Sequence, residues 1–260
     1  MLLTRRQTLN AALASGMIAA LPRRALSLSV FPFDATLIVR PVEHASLILK
    51  LDPHNIAVDP VGTPDRYLAE GPLSGILVTH EHPDHFDADT LTALVGDKVP
   101  LIVNPSIHDK LPQALQARTT VMANGDTAEI AGMPVKAVPA YNTTADRLQY
   151  HPKGRDNGYV LTAPYGNTYI AGDTEDTPEF RAQENVLVAL VPMNLPYTMT
   201  ADQAASGVAA MAPRQVVPYH HRGIDPAEFE AKLKATGSQT QTVMLDWYPE
   251  TDDATGKGKD

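Results

Sequence analysis

The chain has 260 residues, 43% of them hydrophobic and 20% charged, with 22 prolines and 16 glycines; that suffices for one large domain or two small ones, built from many short elements rather than long helices. Its formal net charge of −9 repels phosphate backbones, and no basic stripe runs along it, which argues against a nucleic-acid partner. Cysteine is absent, so disulfides and thiolate ligands are excluded, and any metal site must be built from histidine and carboxylate.

Residues 1–27 read as a targeting segment. "TRRQTLN" carries the pair Arg5–Arg6, "AALASGMIAAL" is a modest apolar stretch, and "PRRALS" ends in an Ala-x-Ser pattern consistent with cleavage after Ser27. The pattern resembles a twin-arginine export signal, which implies a periplasmic or otherwise exported protein; the alternative is a disordered basic N-terminus. The apolar stretch is too short and too alanine-rich for stable membrane insertion. The segment holds four arginines and no acid, so its removal leaves a still more acidic protein.

From there to residue 248 the sequence reads as one domain. Short β-like runs recur: "ATLIVRPV", "HASLILKL", "NIAVDP", "GILVTH", "PLIVN", "TTVMA", "MPVKAVPA", "GYVLTA", "NTYIAGD", "VLVALVP", "RQVVPYHH" and "TVMLDWY". Several are continuously apolar between glycine or proline, as expected of strands buried on both faces. Helices are expected between them. "TADQAASGVAAMA" opens with Thr200 and Gln203 in capping-box spacing. "DPAEFEAKLKATG" has Asp225 to cap, Pro226 at the first turn and Gly237 to stop. "ADTLTALVG" and "SIHDKLPQALQA" are further helical candidates. Strand clusters with interspersed helices imply an α/β layered domain with mixed sheets. The longest stretch without an element, Tyr141 to Asn157, is the expected substrate lid, with Tyr150, Lys153 and Arg155 on it. Residues 249–260, "ETDDATGKGKD" from Glu250 onward, read as a disordered tail.

Three of the nine histidines fall within "HEHPDH", residues 80–85. On extended backbone, side chains two apart share a face, so His80 and His82 can close on one cation. After Pro83 the chain turns, and Asp84 and His85 can face a second position beside the first. "HEHPD" is not the helical His-Glu-x-x-His motif, because Asp84 stands where the second histidine belongs and Pro83 would break the helix. Two later strand ends offer further ligands: Asp173 after "TYIAG" and His220 after "RQVVPY".

The ordered series "HASLILKLD", "NIAVDP", "LVTHEHPDHFD", "VPAYN", "YIAGDT" and "VVPYHH" resembles the metallo-β-lactamase superfamily, in its compact branch of metal-dependent hydrolases related to the ascorbate-lactone hydrolases. The resemblance implies an αββα sandwich, two mixed β-sheets flanked by helices, with two divalent metal ions at one sheet edge. It implies His80 and His82 on the first ion, Asp84, His85 and His220 on the second, and Asp173 between them. Asp59 matches the acid that supports the ligand loop, and His44 matches a histidine near the site in some compact members; its alternative is a histidine at a strand start. The chain departs from the pattern where Asn142 occupies the position of the first ion's third histidine. His151, on the long loop, is the candidate to replace it, its alternative being a surface histidine. The ions are expected to be Zn²⁺, with Mn²⁺ if the first site lacks a third nitrogen. Water between two such ions loses a proton near neutral pH, and the expected reaction is hydrolysis of a small ester, lactone or phosphodiester, with Asp84 orienting the nucleophile. The alternative function is an exported metal-binding protein without turnover. The sequence leaves the oligomeric state open.

Overall fold

The computed structural model describes residues 37–248. The expected signal at 1–27 and tail at 249–260 lie outside the described residues. Two six- and seven-stranded sheets form the centre. The first runs in chain order: β1 (Leu37–Pro41), β2 (Leu47–Leu51), β3 (His54–Val58), β4 (Gly75–Leu77), β5 (Leu101–Val103) and β6 (Thr119–Val121). The second holds β7 (Thr127–Ile130), β8 (Met133–Ala140), β9 (Asp156–Ala163), β10 (Gly166–Ile170), β11 (Val186–Pro192), β12 (Gln215–Tyr219) and β13 (Gln241–Thr242), again in sequential order. Each sheet begins antiparallel, β1 to β3 and β7 to β10, and continues parallel, β3 to β6 and β10 to β13.

Strand alternation explains why these runs are apolar throughout. Leu47, Leu49, Ile56, Val58 and Leu77 face the second sheet, where Ile170, Leu190, Val217 and Tyr219 meet them in one inter-sheet core. The residues between them point outward. Ile48, Ala57, Ile76 and Val78 pack under helices of the first outer layer, and Ala189, Val191 and Val216 under those of the second. Both faces of each sheet are thus buried, which is the αββα sandwich expected from the sequence.

The helices are α1 (Asp65–Leu68), α2 (Ala88–Val95), α3 (Pro105–His108), α4 (Gln113–Gln116), α5 (Pro178–Arg181), α6 (Ala201–Met211) and α7 (Pro226–Ala235). The capping box at α6 forms, with Thr200 and Gln203 exchanging both hydrogen bonds. Asp225 caps α7, and Gly237 takes a left-handed conformation after it. The helix expected across "SIHDKLPQALQA" is instead two single turns, divided at Pro112, which cannot supply the backbone donor that continuity needs. Strand β7, "TAEI", was not anticipated: it is a half-exposed edge strand with little apolar signal. Of the strand expected across "TVMLDWY", only Thr242 lies in a strand, as the second residue of β13. Among the described residues no helix is long and apolar enough to cross a membrane.

Candidate metal centre

The chemistry-bearing residues gather at the carboxyl ends of the parallel strands, where open α/β sheets expose their sites. Leaving β3, Asp59 sits in the left-handed region at φ 47 and is fully buried. Its carboxylate accepts from the Thr79 N–H at 2.6 Å, the Thr79 hydroxyl at 2.7 Å and His85 Nδ1 at 2.8 Å. It therefore ties the exit of β3 to the exit of β4 and to the loop beyond. That loop turns where His85 and Phe86 donate their N–H groups to His82 O, and Asp87 then caps α2. Thr79 O in turn accepts the Asn157 N–H at 3.1 Å, which links the first sheet to the start of β9 in the second.

From the second sheet, Asp173 follows Gly172, which takes the left-handed region at φ +63; a Cβ there would come within 2.8 Å of Asn157 O, so glycine is required. His220, at φ 46, leaves β12. His44 comes from the turn between β1 and β2 and stacks on His220 with ring centroids 4.0 Å apart.

Three sets of donor atoms each lie within 4.8 Å of one another: His80, His82 and His151; His80, His85 and Asp173; and His44, Asp84 and His220. Asp173 is central. Its Oδ2 is 3.4 Å from His151 Nε2, 3.6 Å from His220 Nε2 and 3.9 Å from His80 Nε2, while Oδ1 is 3.4 Å from His85 Nε2. Asp84 Oδ2 is 3.1 Å from His220 Nε2 and 3.8 Å from His85 Nε2. Donors on a tetrahedral zinc ion are separated by roughly 3.3 Å, given bonds of ~2.0–2.1 Å, so these spacings match edges of a coordination shell.

The residues fit such ions on a second count. His85 Nε2, His151 Nε2 and Asp173 Oδ1 are buried without a hydrogen-bond partner. An unsatisfied buried polar atom costs about 1–3 kcal/mol, and here three of them converge. His85 and His151 also share one arrangement: Nδ1 faces a buried carboxylate, Asp59 at 2.8 Å and Asp156 at 3.0 Å respectively, which leaves Nε2 aimed at Asp173. Carboxylate–histidine pairing of this kind orients metal-ligating imidazoles.

Asn142 is not in any of the three sets. It lies behind His151, exchanging Asn142 N–H to His151 O at 2.9 Å and His151 N–H to Asn142 Oδ1 at 3.0 Å. Its amide also donates to Tyr197 O at 2.7 Å. The adjacent turn closes on Glu175, whose buried carboxylate accepts from the N–H and hydroxyl of both Thr143 and Thr144 and from Arg147. Sequence reasoning missed Glu175, Asp156 and Thr79. Glu175 lies two residues after Asp173 and Asp156 five after His151, but neither spacing has a motif that marks it. The loop cations are engaged: Lys153 with Glu179 and the Tyr141 hydroxyl, Arg155 with both oxygens of Asp156. His54 begins β3, and His108 ends α3. His221 donates its N–H to the Tyr248 hydroxyl at 3.2 Å and belongs to none of the three sets.

Burial holds His80 well below the usual imidazole range, reinforced by the neighbouring His85, and burial likewise lowers His82. Burial lowers His44 to about 3, with His220 adding to the effect. These imidazoles are neutral at pH 7, as ligation requires. Burial would also lower His85, but Asp173, Asp59 and Asp84 outweigh it and raise the group to about 9. Burial opposes ionisation of Asp173, yet His220, His85 and His151 hold its carboxyl well below the ordinary range. The cavity beside this cluster, about 420 Å³, is lined by His82, Asp84, Asp173 and His220 together with Pro83, Tyr150 and Tyr197.

Comparison with known proteins bears on this geometry. Residues 39–220 match the beta-lactamase superfamily domain. A "UPF0173 metal-dependent hydrolase" of Pyrobaculum calidifontis is 30% identical over 213 residues, covering 78% of this chain and 91% of that protein. A candidate metal-dependent hydrolase from Parabacteroides distasonis superposes with a TM-score of 0.75 at 36% identity, over 86% of this chain and 99% of that one. A metallo hydrolase from Ignicoccus hospitalis shares the fold, with a TM-score of 0.64 at 24% identity over 80% and 94% of the two chains.

Two outcomes are expected. Asp59→Asn and Glu175→Gln, which touch no donor atom, each lower divalent-ion affinity about 10–100-fold, read by calorimetric titration of metal-free protein; unchanged affinity in both would show the supporting carboxylates to be irrelevant. Raised to about 9, His85 is protonated in the metal-free fold at pH 7, and binding must displace that proton. Affinity therefore rises with pH up to about 9, by about tenfold per unit for one proton, with proton release measurable in weakly buffered solution. In the metal-free protein the same shift stabilises the fold fully below the unfolded pKa of ~6.5, and that contribution is lost as pH rises through 9.

Proposed function

The chain belongs to the beta-lactamase superfamily and to its metal-dependent hydrolases, and on that premise we propose that it hydrolyses a small ester, lactone or phosphodiester with two divalent ions, Zn²⁺ foremost, held by His80, His82, Asp84, His85, His151, Asp173 and His220. The observation that carries this reading is the pair of buried imidazoles, His85 and His151, each backed by a carboxylate on Nδ1 and unsatisfied at Nε2. In this reading His151 supplies the nitrogen that Asn142 does not.

When bound, the ions supply Lewis acidity toward the electrophile's oxygen and make a coordinated water acidic near neutral pH. The chain's own residues do the rest. Asp84 lines the cavity with its side chain 44% exposed. The His220 hydrogen bond offsets burial and holds its carboxyl below the ordinary range. It is therefore an acceptor at neutral pH, placed to take a hydrogen bond from the attacking water and fix its direction. Asp173, buried beneath it, holds the imidazoles around one centre. Pro83, Tyr150 and Tyr197 complete the lining of the cavity.

Asp84→Ala is expected to lower kcat by about 10²- to 10⁴-fold on any substrate found in an ester, lactone and phosphodiester panel, with the circular dichroism spectrum and melting temperature retained. Near-native turnover would remove Asp84 from the reaction. Absence of turnover by the fully metal-loaded wild type would favour the metal-binding protein instead. The same reading takes residues 1–27 as an export signal, on Arg5–Arg6 and the apolar stretch after them. A periplasmic protein whose mature chain starts at Leu28, read by N-terminal sequencing, is expected, and retention of the leader in a cytosolic pool would refute it.

A further inference from the structure

Beside its histidines and acids the cavity is lined by Pro83, Tyr150 and Tyr197, and among the described residues no lysine or arginine lines it. Tyr150 and Tyr197 meet edge to face with centroids 4.9 Å apart. In the same two segments Leu148 and Leu195 are also exposed, at 49% and 43%. An aromatic pair flanked by exposed leucines is an apolar surface that a ligand can cover.

The basic side chains of the loop, and Lys110, are engaged with acids and carbonyls, and Arg222, next to His221, lies 5.5 Å from the Tyr248 ring centroid. Arg155 is bidentate to Asp156 at 2.7 and 2.8 Å and donates to Tyr150 O at 2.8 Å. Arg147 lies 3.3 Å from Glu175 and donates to Thr198 O at 3.2 Å. Lys153 bridges Glu179 and the Tyr141 hydroxyl, and Lys110 pairs with Glu81 at 2.9 Å. Asn142 meanwhile holds Tyr197 by its carbonyl. These contacts tie down the backbone around Tyr150 and Tyr197, and among the described residues none of these lysines and arginines lines the cavity. The charged side chains in its lining are the carboxylates of Asp84 and Asp173. Sites that bind phosphoryl oxygens or carboxylates recruit Arg or Lys for the purpose, and an anionic group seated here beyond the reacting centre would meet two rings and a carboxylate.

Resting on the hydrolase reading above, we propose that the substrate is an uncharged carboxylic ester or lactone bearing an apolar substituent, which lies against Tyr150 and Tyr197. The oxygen of water bonds to the acyl carbon, the acyl C–O bond breaks, and the alcohol leaves with a proton from that water, giving acid and alcohol. No other reactant is needed. Tyr150 and Tyr197 are specificity residues: they seat the substituent and do not touch the bond that breaks.

The test uses the metal-loaded protein with 4-nitrophenyl esters from acetate to octanoate, an ω-carboxylate ester of matched length, and bis(4-nitrophenyl) phosphate. The expected kcat/KM rises about fourfold per added methylene until the cavity is full, as burial of each CH₂ predicts, and falls at least about tenfold when the chain ends in a carboxylate, which forfeits that burial or strands a charge. In Tyr197→Ala the slope with chain length flattens. A flat series, preference for the ω-carboxylate ester, or faster cleavage of the phosphodiester overturns the proposal. A binding measurement separates this from failure of the hydrolase reading. By calorimetry, N-hexyl-2-pyrrolidone is expected to bind at least tenfold tighter than its ω-carboxylate counterpart, and to lose that advantage in Tyr197→Ala. If neither the esters nor the phosphodiester turn over but this preference holds, the hydrolase reading falls and the ligand class stands; if the two lactams bind equally, the ligand class falls whatever the turnover.

Discussion

The carboxylate of Asp59 is the constraint on which the site is built. Buried and held in a left-handed backbone conformation, it accepts from the Thr79 N–H, the Thr79 hydroxyl and His85. A charge in such surroundings is tolerable only when its hydrogen bonds are complete. Each of those bonds fixes something needed downstream: the exit of β4, the orientation of His80 through Thr79, whose hydroxyl lies 3.0 Å from His80 Nδ1, and the tautomer of His85. Removing the acid would strand a backbone donor and a buried imidazole together, so the motif at 80–85 depends on a residue more than twenty positions earlier.

The second dependency is the loop between β8 and β9. Loops carry function when a scaffold holds them, and this one is held at both ends. Asn142 pairs with the backbone of His151, Glu175 gathers the turn at Thr143 and Thr144, and Asp156 meets His151 Nδ1. The departure at Asn142 and the burial of His151 are thus one fact: the amide that stands at the strand end fastens the loop that brings an imidazole back to the same place. The cations of the loop stabilise this closure and do not line the cavity.

Much of this was legible before any coordinates. Continuous apolar runs mark strands covered on both sides, and that pattern follows from local composition, so the central strands, such as β2, β4, β5, β11 and β12, announce themselves. The alternation in "HEHPDH" likewise reports a shared face. What escaped was whatever depends on partners far away in sequence. Edge strand β7 has no buried face to write into its residues. Pro112 divides a helix that periodicity alone would run through. Glu175 and Asp156 act only because the fold brings Thr143 and His151 to them, and an isolated acid in "GDTED" or "GRDN" carries no sign of which donor it will meet.

The division of the donors between the two sheets has its own consequence. His44, His80, His82, Asp84 and His85 come from the first sheet and its connections, and Asp173 and His220 from the second, with His151 on the loop that enters β9. Neither layer owns a complete set. Whatever is held among these side chains is a rivet through the seam, and its binding energy adds to the adhesion of the layers themselves, so that losing the cargo and loosening the sandwich are two descriptions of one event.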